Sequence, residues 1–216
     1  METKNGKARG RPRTFDLDEG VAIAQTLFQE RGYDAVSVAD LTAAIGINPP
    51  SFYAAYGSKA ELFARVLARY TAGAPPLSVA LCPGRPEAEA LGQMLEDAAA
   101  RYGADSCKSG CLVIESARSD DAAARCAASA FAQGTADAIR AFVARTHPAL
   151  AGPVTDYMIA VMVGMSALAR AGTEPDRLTA VARTASLAVQ AMLPGEPRTA
   201  AASRCAPVTR AAGRRR

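Results

Sequence analysis

The side chains that most often do chemistry in proteins are scarce in this sequence of 216 residues, which holds five cysteines and one histidine. The cysteines lack the paired spacing of a metal-binding motif, so we expect no metal centre and no cofactor. The histidine, His147, precedes a proline at a predicted helix end, where a surface or capping residue is expected. An enzyme would need a nucleophile with a base or a metal cluster, and the sequence predicts neither.

The segment CKSGCL is the candidate for thiol chemistry. Cys107 and Cys111 are close together in the sequence, and a thiolate near Lys108 would be activated, so the pair could form a redox switch. Free cysteine also packs as a small hydrophobic residue, which gives an alternative interpretation of the same segment. The odd number of cysteines favours a reduced, cytoplasmic protein.

Basic residues are concentrated at the two ends of the chain. Residues 1–15 hold five basic residues and one acidic residue, and residues 194–216 hold six and one. Since the net charge is only +4, the residues between these ends carry about −5. Basic ends on an acidic body indicate a polyanionic partner, although the tails could equally be solvated segments that aid solubility.

The N-terminal arm contains the stretch ARGRPR, with Arg9, Arg11 and Arg13. This stretch resembles the Gly-Arg-Pro core of the AT-hook. An extended Arg-Pro segment fits the narrow minor groove of A·T-rich DNA, where the negative potential is enhanced. The alternative is that these arginines contact phosphates without sequence preference. The arm has no apolar run, so no secretory signal is expected.

Apolar residues recur at helical spacing and strand patterns are nearly absent, which predicts an all-α fold. We expect a basic flexible arm at 1–15, a compact run of short helices at 16–72, a domain of longer helices at 73–193 and a basic disordered tail at 194–216. The longest apolar run, residues 157–169, is shorter than the roughly 20 residues that cross a bilayer. We therefore expect it to be a buried helix, and no association with a membrane.

Capping residues mark the helix starts in residues 16–72. Helix starts are predicted after residues whose side chains can accept hydrogen bonds from amides of the first turn. These residues are Asp16, Ser37, Asn48 and Ser58. Glycine follows the predicted end of each of the first three helices. These signals define four short helices by purely local chemistry.

The second and third of these helices form the pattern of a helix-turn-helix. They run from Ser37 to Ile45 and from Pro49 to Tyr56, and the glycine-containing turn 46–48 joins them. The second one is about 12 Å long at about 1.5 Å per residue, so it can cross the major groove of DNA. Phe52 and Tyr56 are expected to pack inside, and the outward positions are mostly small.

The stretch VSVADLTAAIGINPPSFYAAYGSKAELFARVLARY, preceded by Gly32-Tyr33, resembles the DNA-binding domain of the TetR/AcrR family of bacterial transcriptional regulators. The likeness covers residues 16–70. It implies that Ser37 holds a phosphate and that Lys59 clamps the DNA backbone at the start of the fourth helix. It also implies contacts to phosphates or base edges from Asn48, Ser51 and Tyr53. Alanines stand at positions 54 and 55, where the family often has basic or polar aromatic residues, so few hydrogen bonds to bases are expected.

The resemblance also implies a homodimer and a ligand-binding domain in the C-terminal half. Two late helices would form a dimer seam through Tyr157, Val161, Met165, Leu168, Leu178, Val181, Ala185, Val189 and Met192. The alternative is that one of these helices belongs entirely to the subunit core. A pocket for an unidentified small-molecule effector would lie between the middle helices, lined by Tyr102, Cys107, Cys111, Leu112, Phe131 and Met162. The same residues could instead be plain core.

These patterns together predict a sequence-specific DNA-binding regulator, most often a repressor in this family. An effector would release it from its operator by changing the spacing of two reading heads, the helix-turn-helix domains of the two subunits. Two alternatives stay open. One is a thiol-based regulator of the same fold that uses Cys107 or Cys111, and the other is a nonspecific nucleic-acid binder held by its tails.

Overall fold

The computed structural model describes residues 16–82 and 84–193, and every regular element in these ranges is helical. The predicted all-α fold is therefore confirmed. A one-turn 3₁₀ helix occupies Ser106–Lys108. The α-helices are α1 (Leu17–Arg31), α2 (Val38–Ile45), α3 (Pro49–Tyr56), α4 (Lys59–Ala72), α5 (Leu77–Ala80), α6 (Glu87–Tyr102), α7 (Leu112–Ser116), α8 (Ala122–Ala144), α9 (Ala151–Arg170) and α10 (Pro175–Met192).

Helices α1 to α4 enclose an aromatic core that fixes the position of the helix-turn-helix. The rings of Phe28 on α1, Tyr33 in the following loop and Phe63 on α4 are buried, with centroid separations of 5.5, 5.2 and 4.7 Å. Such ring pairs contribute about 0.5–1.5 kcal/mol each beyond the area that they bury. Phe52 and Tyr56 of α3 are fully buried in the same hydrophobic core. The inner face of α3 therefore determines how its outer face is presented.

The C-terminal half is built on the close packing of α6 against α10, with α9 beside both and α8 against α9. Small residues allow this approach, since a Cβ atom at Gly92 of α6 would lie only 3.1 Å from Ser186 Oγ of α10. Ser186 Oγ donates to the Gly92 carbonyl oxygen at 3.3 Å. Helix α4 packs against α8, so contacts as well as sequence join the N-terminal helices to the C-terminal half.

Helix α9 extends the predicted apolar run to 20 residues. By length and composition the whole helix could cross a bilayer, although the apolar run within it is shorter. Here it packs against α6, α8 and α10 and buries Met158, Met162 and Met165. Core helices of soluble domains have the same length and composition, and the observed packing fits that class.

Candidate DNA-binding surface

Capping interactions define the start of α2 and both ends of the turn between α2 and α3. At the start of α2, Ser37 Oγ accepts from Asp40 N at 3.1 Å and Asp40 Oδ2 accepts from Ser37 N at 2.8 Å. Gly46 ends α2 in the left-handed conformation, with φ 78° and ψ 31°, which glycine adopts without strain. Asn48 Oδ1 then accepts from Ser51 N at 2.8 Å and opens α3. The helix starts predicted at Ser37 and Asn48 are confirmed.

Helix α3 has one buried face and one exposed face. Phe52 and Tyr56 are fully buried, and the Tyr56 hydroxyl donates to the Leu17 carbonyl oxygen at 3.0 Å. The exposed side chains of this segment include Asn48, Ser51, Tyr53 and Ala54. This confirms the predicted inner face, while Ala55, expected outside, is half-buried. Tyr53 is the largest outward side chain of α3 and is 53% exposed.

A basic residue that the sequence patterns did not indicate lies at the far end of α3. Arg65 of α4 donates from Nη1 to the Ala55 carbonyl oxygen at 3.4 Å and stands over the Tyr56 ring. A cation there satisfies a terminal carbonyl and complements the negative end of the helix dipole.

The arm arginines, Arg9, Arg11 and Arg13, and the tail at 194–216 lie outside the described residues. Their roles therefore stay predictions.

Lys59, predicted to clamp the DNA backbone, is the first residue of α4 and is directed toward the loop between α1 and α2. Its Nζ lies 3.9 Å from the centroid of the Tyr33 ring. Burial lowers the pKa of Lys59, and the charges of Asp34, Asp121 and Asp40 act in the opposite direction. The ammonium is thus already engaged by protein groups instead of extending freely into solvent.

Hydrogen bonds that the sequence did not predict join this region to the residues before α8. The Tyr33 hydroxyl donates to Asp121 Oδ2 at 3.0 Å, and the Ser119 hydroxyl donates to Asp34 Oδ1 at 2.7 Å. The partners are 88 and 85 residues apart, so no local pattern could indicate them. Both bonds tie the loop after α1 to the start of α8.

A cavity of about 250 Å³ lies where α1 and its following loop meet the residues before α7. Its walls include Phe28 and Tyr33 from the N-terminal helices, and Cys111, Leu112 and Arg170 from the C-terminal half. A molecule bound there would touch both halves of the chain. We refer to this space as the junction cavity.

The junction cavity includes only part of the predicted effector pocket. Cys111 and Leu112 line it. The other predicted residues do not: Tyr102, Cys107, Phe131 and Met162. Tyr102 and Met162 are buried in the core, whereas Cys107 is exposed. Burial raises the pKa of Tyr102, and the neighbouring Cys111 thiol adds to the shift.

Four of the nine residues predicted for the dimer seam are buried within the subunit: Met165, Leu178, Ala185 and Val189. The packing of α9 and α10 in the core covers them, so they do not form a surface, which corrects that part of the prediction. Leu168 and Val181 are 40% and 38% exposed, and Leu187, which the prediction missed, is 65% exposed. The remaining three are half-buried: Tyr157, Val161 and Met192.

Comparison with known proteins decides the family. Residues 21–66, from α1 to α4, match the family model described as bacterial regulatory proteins, tetR family. The HTH-type transcriptional repressor BdcR of Escherichia coli (strain K12) is 43% identical over 191 residues, which is 88% of this chain and 97% of BdcR. The chain belongs to the TetR family.

Two further proteins are similar to this TetR-family chain. The HTH-type transcriptional repressor ComR of Escherichia coli (strain K12) is 47% identical over 64 residues, 30% of each chain. The TetR family transcriptional regulator CifR, solved as a cysteine mutant with 26-bp double-strand operator DNA, has a TM-score of 0.74 and 32% identity. That match covers 82% of this chain and 99% of CifR. The predicted family is confirmed, and the helix-turn-helix of α2 and α3 is the DNA-binding element of a transcriptional regulator.

Proposed function

We propose that this TetR-family chain is a homodimeric repressor that binds operator DNA through α3 and leaves it when a small molecule binds. The observation that carries the proposal is the exposed, uncharged outer face of α3 on a helix whose inner face is locked in the core. BdcR and ComR are named transcriptional repressors, and CifR was solved with operator DNA, which supports the same role here.

The outer face of α3 favours recognition of DNA by shape. Ser51 and Ala54 are small, so the helix backbone can approach base edges, and the exposed Tyr53 ring can contact a thymine methyl group. Ser37 and Asn48 lie at helix N-termini, which attract phosphate. Phosphate contacts would set the position of α3 in the groove, and α3 would read the bases. The arginines of the arm would add contacts in the adjacent minor groove.

A dimer is needed because one such module buries too little DNA surface for tight binding, and helix-turn-helix proteins use two-fold sites. We place the interface on the apolar face that α9 and α10 leave exposed, around Leu168, Val181 and Leu187. Gly164, Ala167 and Ala180 are also exposed on these helices. Small side chains between larger ones let helices of two subunits approach closely, as a self-complementary two-fold interface requires.

Leu187→Glu tests the dimer, because a charge on this face would be buried without a partner in the interface. We expect the variant to elute as a monomer in size-exclusion chromatography with light scattering, and to lose operator binding. Ser129→Glu places the same charge on an exposed part of α8 and is the matched control. A dimeric Leu187→Glu variant would exclude this interface.

We place the effector in the junction cavity. A ligand moves the N-terminal helices only if it binds one arrangement of the two halves better than another, and this cavity has walls from both. The charged residues on its wall already have partners in the protein: Arg31, Asp34, Glu115 and Arg170. A small uncharged molecule is therefore the class of effector that the cavity favours.

The first experiment is a mobility shift on DNA that flanks the gene for this protein, across a salt series, with the full chain and with a chain lacking residues 1–15. Tight binding to one palindromic fragment, called the operator fragment below, would support a specific dimeric regulator. Loss of affinity for A·T-rich flanks on removal of the arm would support its role in the minor groove. Weak binding spread evenly over all fragments would overturn the proposal and favour a nonspecific binder held by its tails.

A thiol-based regulator is the second candidate, because Cys111 lines the junction cavity. Its thiol lies beside the hydroxyls of Tyr70 and Tyr102, whose pKa values are raised first by burial and then by this thiol. If oxidation controls the protein, hydrogen peroxide should release the operator fragment from the wild type, and Cys111→Ser should abolish that release. Cys107→Ser then shows whether the exposed Cys107 forms the second half of the switch. Equal behaviour of wild type and both variants would exclude this mechanism.

A further inference from the structure

Lys59 is surrounded by groups from both halves of the chain. Its Nζ lies 3.9 Å from the centroid of the Tyr33 ring. Tyr33 is only 3% exposed, so the surrounding core holds this ring in place against the ammonium. The Tyr33 hydroxyl donates to Asp121 Oδ2 at 3.0 Å. Lysine, ring and carboxylate therefore form a continuous chain of contacts from α4 to the start of α8.

The start of α8 holds Asp121 in place. Its Oδ1 accepts from Ala124 N at 3.0 Å and from Ala123 N at 2.9 Å. The bond from Ala124 is the largest cause of the lowered pKa of Asp121, which is a carboxylate at neutral pH. Asp34 is tied to the same place, since it accepts from the Ser119 hydroxyl at 2.7 Å. Two negative charges near Lys59 are thus fixed to the N-terminus of α8.

These acids compete with DNA for the ammonium of Lys59. The charges of Asp34 and Asp121 attract it, and they oppose the effect of burial, which lowers the pKa of Lys59. Asp40, the third acid near Lys59, has its own partner in Arg31 at 3.0 Å. An ammonium that moves to a phosphate must give up part of its attraction to these carboxylates, so they reduce the gain from the phosphate contact.

We propose that Asp121 and Tyr33 are positioning residues for DNA binding, which hold Lys59 so that the start of α8 sets how strongly this lysine contacts DNA. The proposal rests on the proposed function, together with the contact to the DNA backbone that the family resemblance implies for Lys59. Movement of α8 toward the loop after α1 strengthens the hold on Lys59 and weakens DNA binding. Movement away releases the lysine. The C-terminal half thereby acts on DNA affinity without any change in the spacing of the two reading heads.

Asp121→Asn tests the proposal, with Asp120→Asn as its matched control. Asparagine is as good a helix cap as aspartate, so α8 should keep its start, and melting curves check this. Both changes remove one negative charge from adjacent residues, but only Asp121 accepts from the hydroxyl of Tyr33, whose ring lies under Lys59. Affinity of the full chain for the operator fragment is measured from about 50 mM to about 300 mM salt.

We expect Asp121→Asn to tighten binding at low salt by about threefold to tenfold and to steepen the salt dependence by about one phosphate contact per subunit. Asp120→Asn should change both quantities far less. The gain from Asp121→Asn should disappear when Lys59 is replaced by glutamine. Equal effects of the two asparagine variants, or a gain that persists without Lys59, would overturn the proposal.

Tyr33→Phe keeps the ring under Lys59 but removes the bond to Asp121. The charge of Asp121 stays in this variant and only the ring is held less firmly, so we expect a smaller gain in affinity than from Asp121→Asn, which should also require Lys59. An unchanged affinity would remove Tyr33 from the proposal. A control duplex with the base composition of the operator fragment in scrambled order distinguishes failure of the proposed function from failure of this inference alone. If the wild type does not prefer the operator fragment over that duplex, the proposed function fails and this inference fails with it. If the wild type does prefer the operator fragment, the affinities of the variants alone decide whether this inference holds.

Discussion

Asn48 has two tasks in this structure that substitutions can separate. Its Oδ1 accepts from Ser51 N at 2.8 Å and thereby caps α3, while the side chain is exposed beside the outer face of that helix. The two residues between them are prolines, which have no amide hydrogen. Ser51 therefore supplies the first amide within α3 that needs a partner, and Asn48 is the side chain that provides it.

Asn48→Ala removes the cap, and we expect the free energy of unfolding to fall by about 1 kcal/mol, within the usual range of about 0.5–2 kcal/mol. A helix of eight residues has few other hydrogen bonds to hold its first turn. Asn48→Asp keeps an acceptor in the same place and adds a negative charge at the helix N-terminus, so its stability should equal or exceed that of the wild type. The same charge would face DNA phosphates, so operator binding should fall at least as far as in Asn48→Ala.

Urea denaturation gives the stability of each variant, and mobility shifts on the operator fragment give its affinity. If Asn48→Ala unfolds at the same urea concentration as the wild type, the cap contributes nothing to stability and the expected loss is refuted. If Asn48→Asp binds the operator fragment as tightly as the wild type, this residue does not face DNA and the expected loss of affinity is refuted.

Three further predictions concern stability. Hydrogen bonds from Ser37 are the largest cause of the lowered pKa of Asp40. The contribution of Asp40 to the free energy of unfolding is therefore present above the ordinary aspartate pKa of about 4 and is lost as the pH falls below it. Asp40→Asn should make the free energy of unfolding depend less on pH in that range. His147 Nδ1 lies 2.8 Å from Glu87 Oε2, and Glu87 Oε1 is buried with no hydrogen-bond partner among the described residues. His147→Ala should therefore lower the free energy of unfolding in urea by about 1–3 kcal/mol, and His147→Asn should recover part of it. Gly110 has φ +84° and no room for a Cβ atom, so Gly110→Ala should lower the melting temperature, whereas Gly134→Ala, in open space on α8, should raise it.

The helices of the DNA-binding domain could be predicted from sequence because their signals are local. The Ser37 cap and the Asn48 cap each bond to an amide three residues away, and Gly46 follows the residue that ends α2. Such bonds depend on the types and spacing of neighbouring residues and not on what packs against them. The alternation of Phe52 and Tyr56 with small residues likewise predicted which face of α3 is buried.

The dimer seam shows where periodicity stops being sufficient. Leu178 and Val189 are apolar at helical spacing in the same way as Val181 and Leu187, yet the first two are buried in the subunit and the second two are exposed. A helix with apolar residues on most of its surface does not say which side meets its own core. The close approach of α6, through Gly92, decides it.

The sequence by itself determined the all-helical fold, the helix-turn-helix, its caps and the inner face of α3, since these follow from bonds and periodicities within a few residues. Only the tertiary structure decided that Lys59 stands over Tyr33, that Tyr33 bonds to Asp121, and that Cys111 lines a cavity at the junction of the two halves. Contacts between residues so far apart in the chain depend on how whole helices pack. That packing is settled by the summed burial of many side chains, which no single spacing in the sequence encodes.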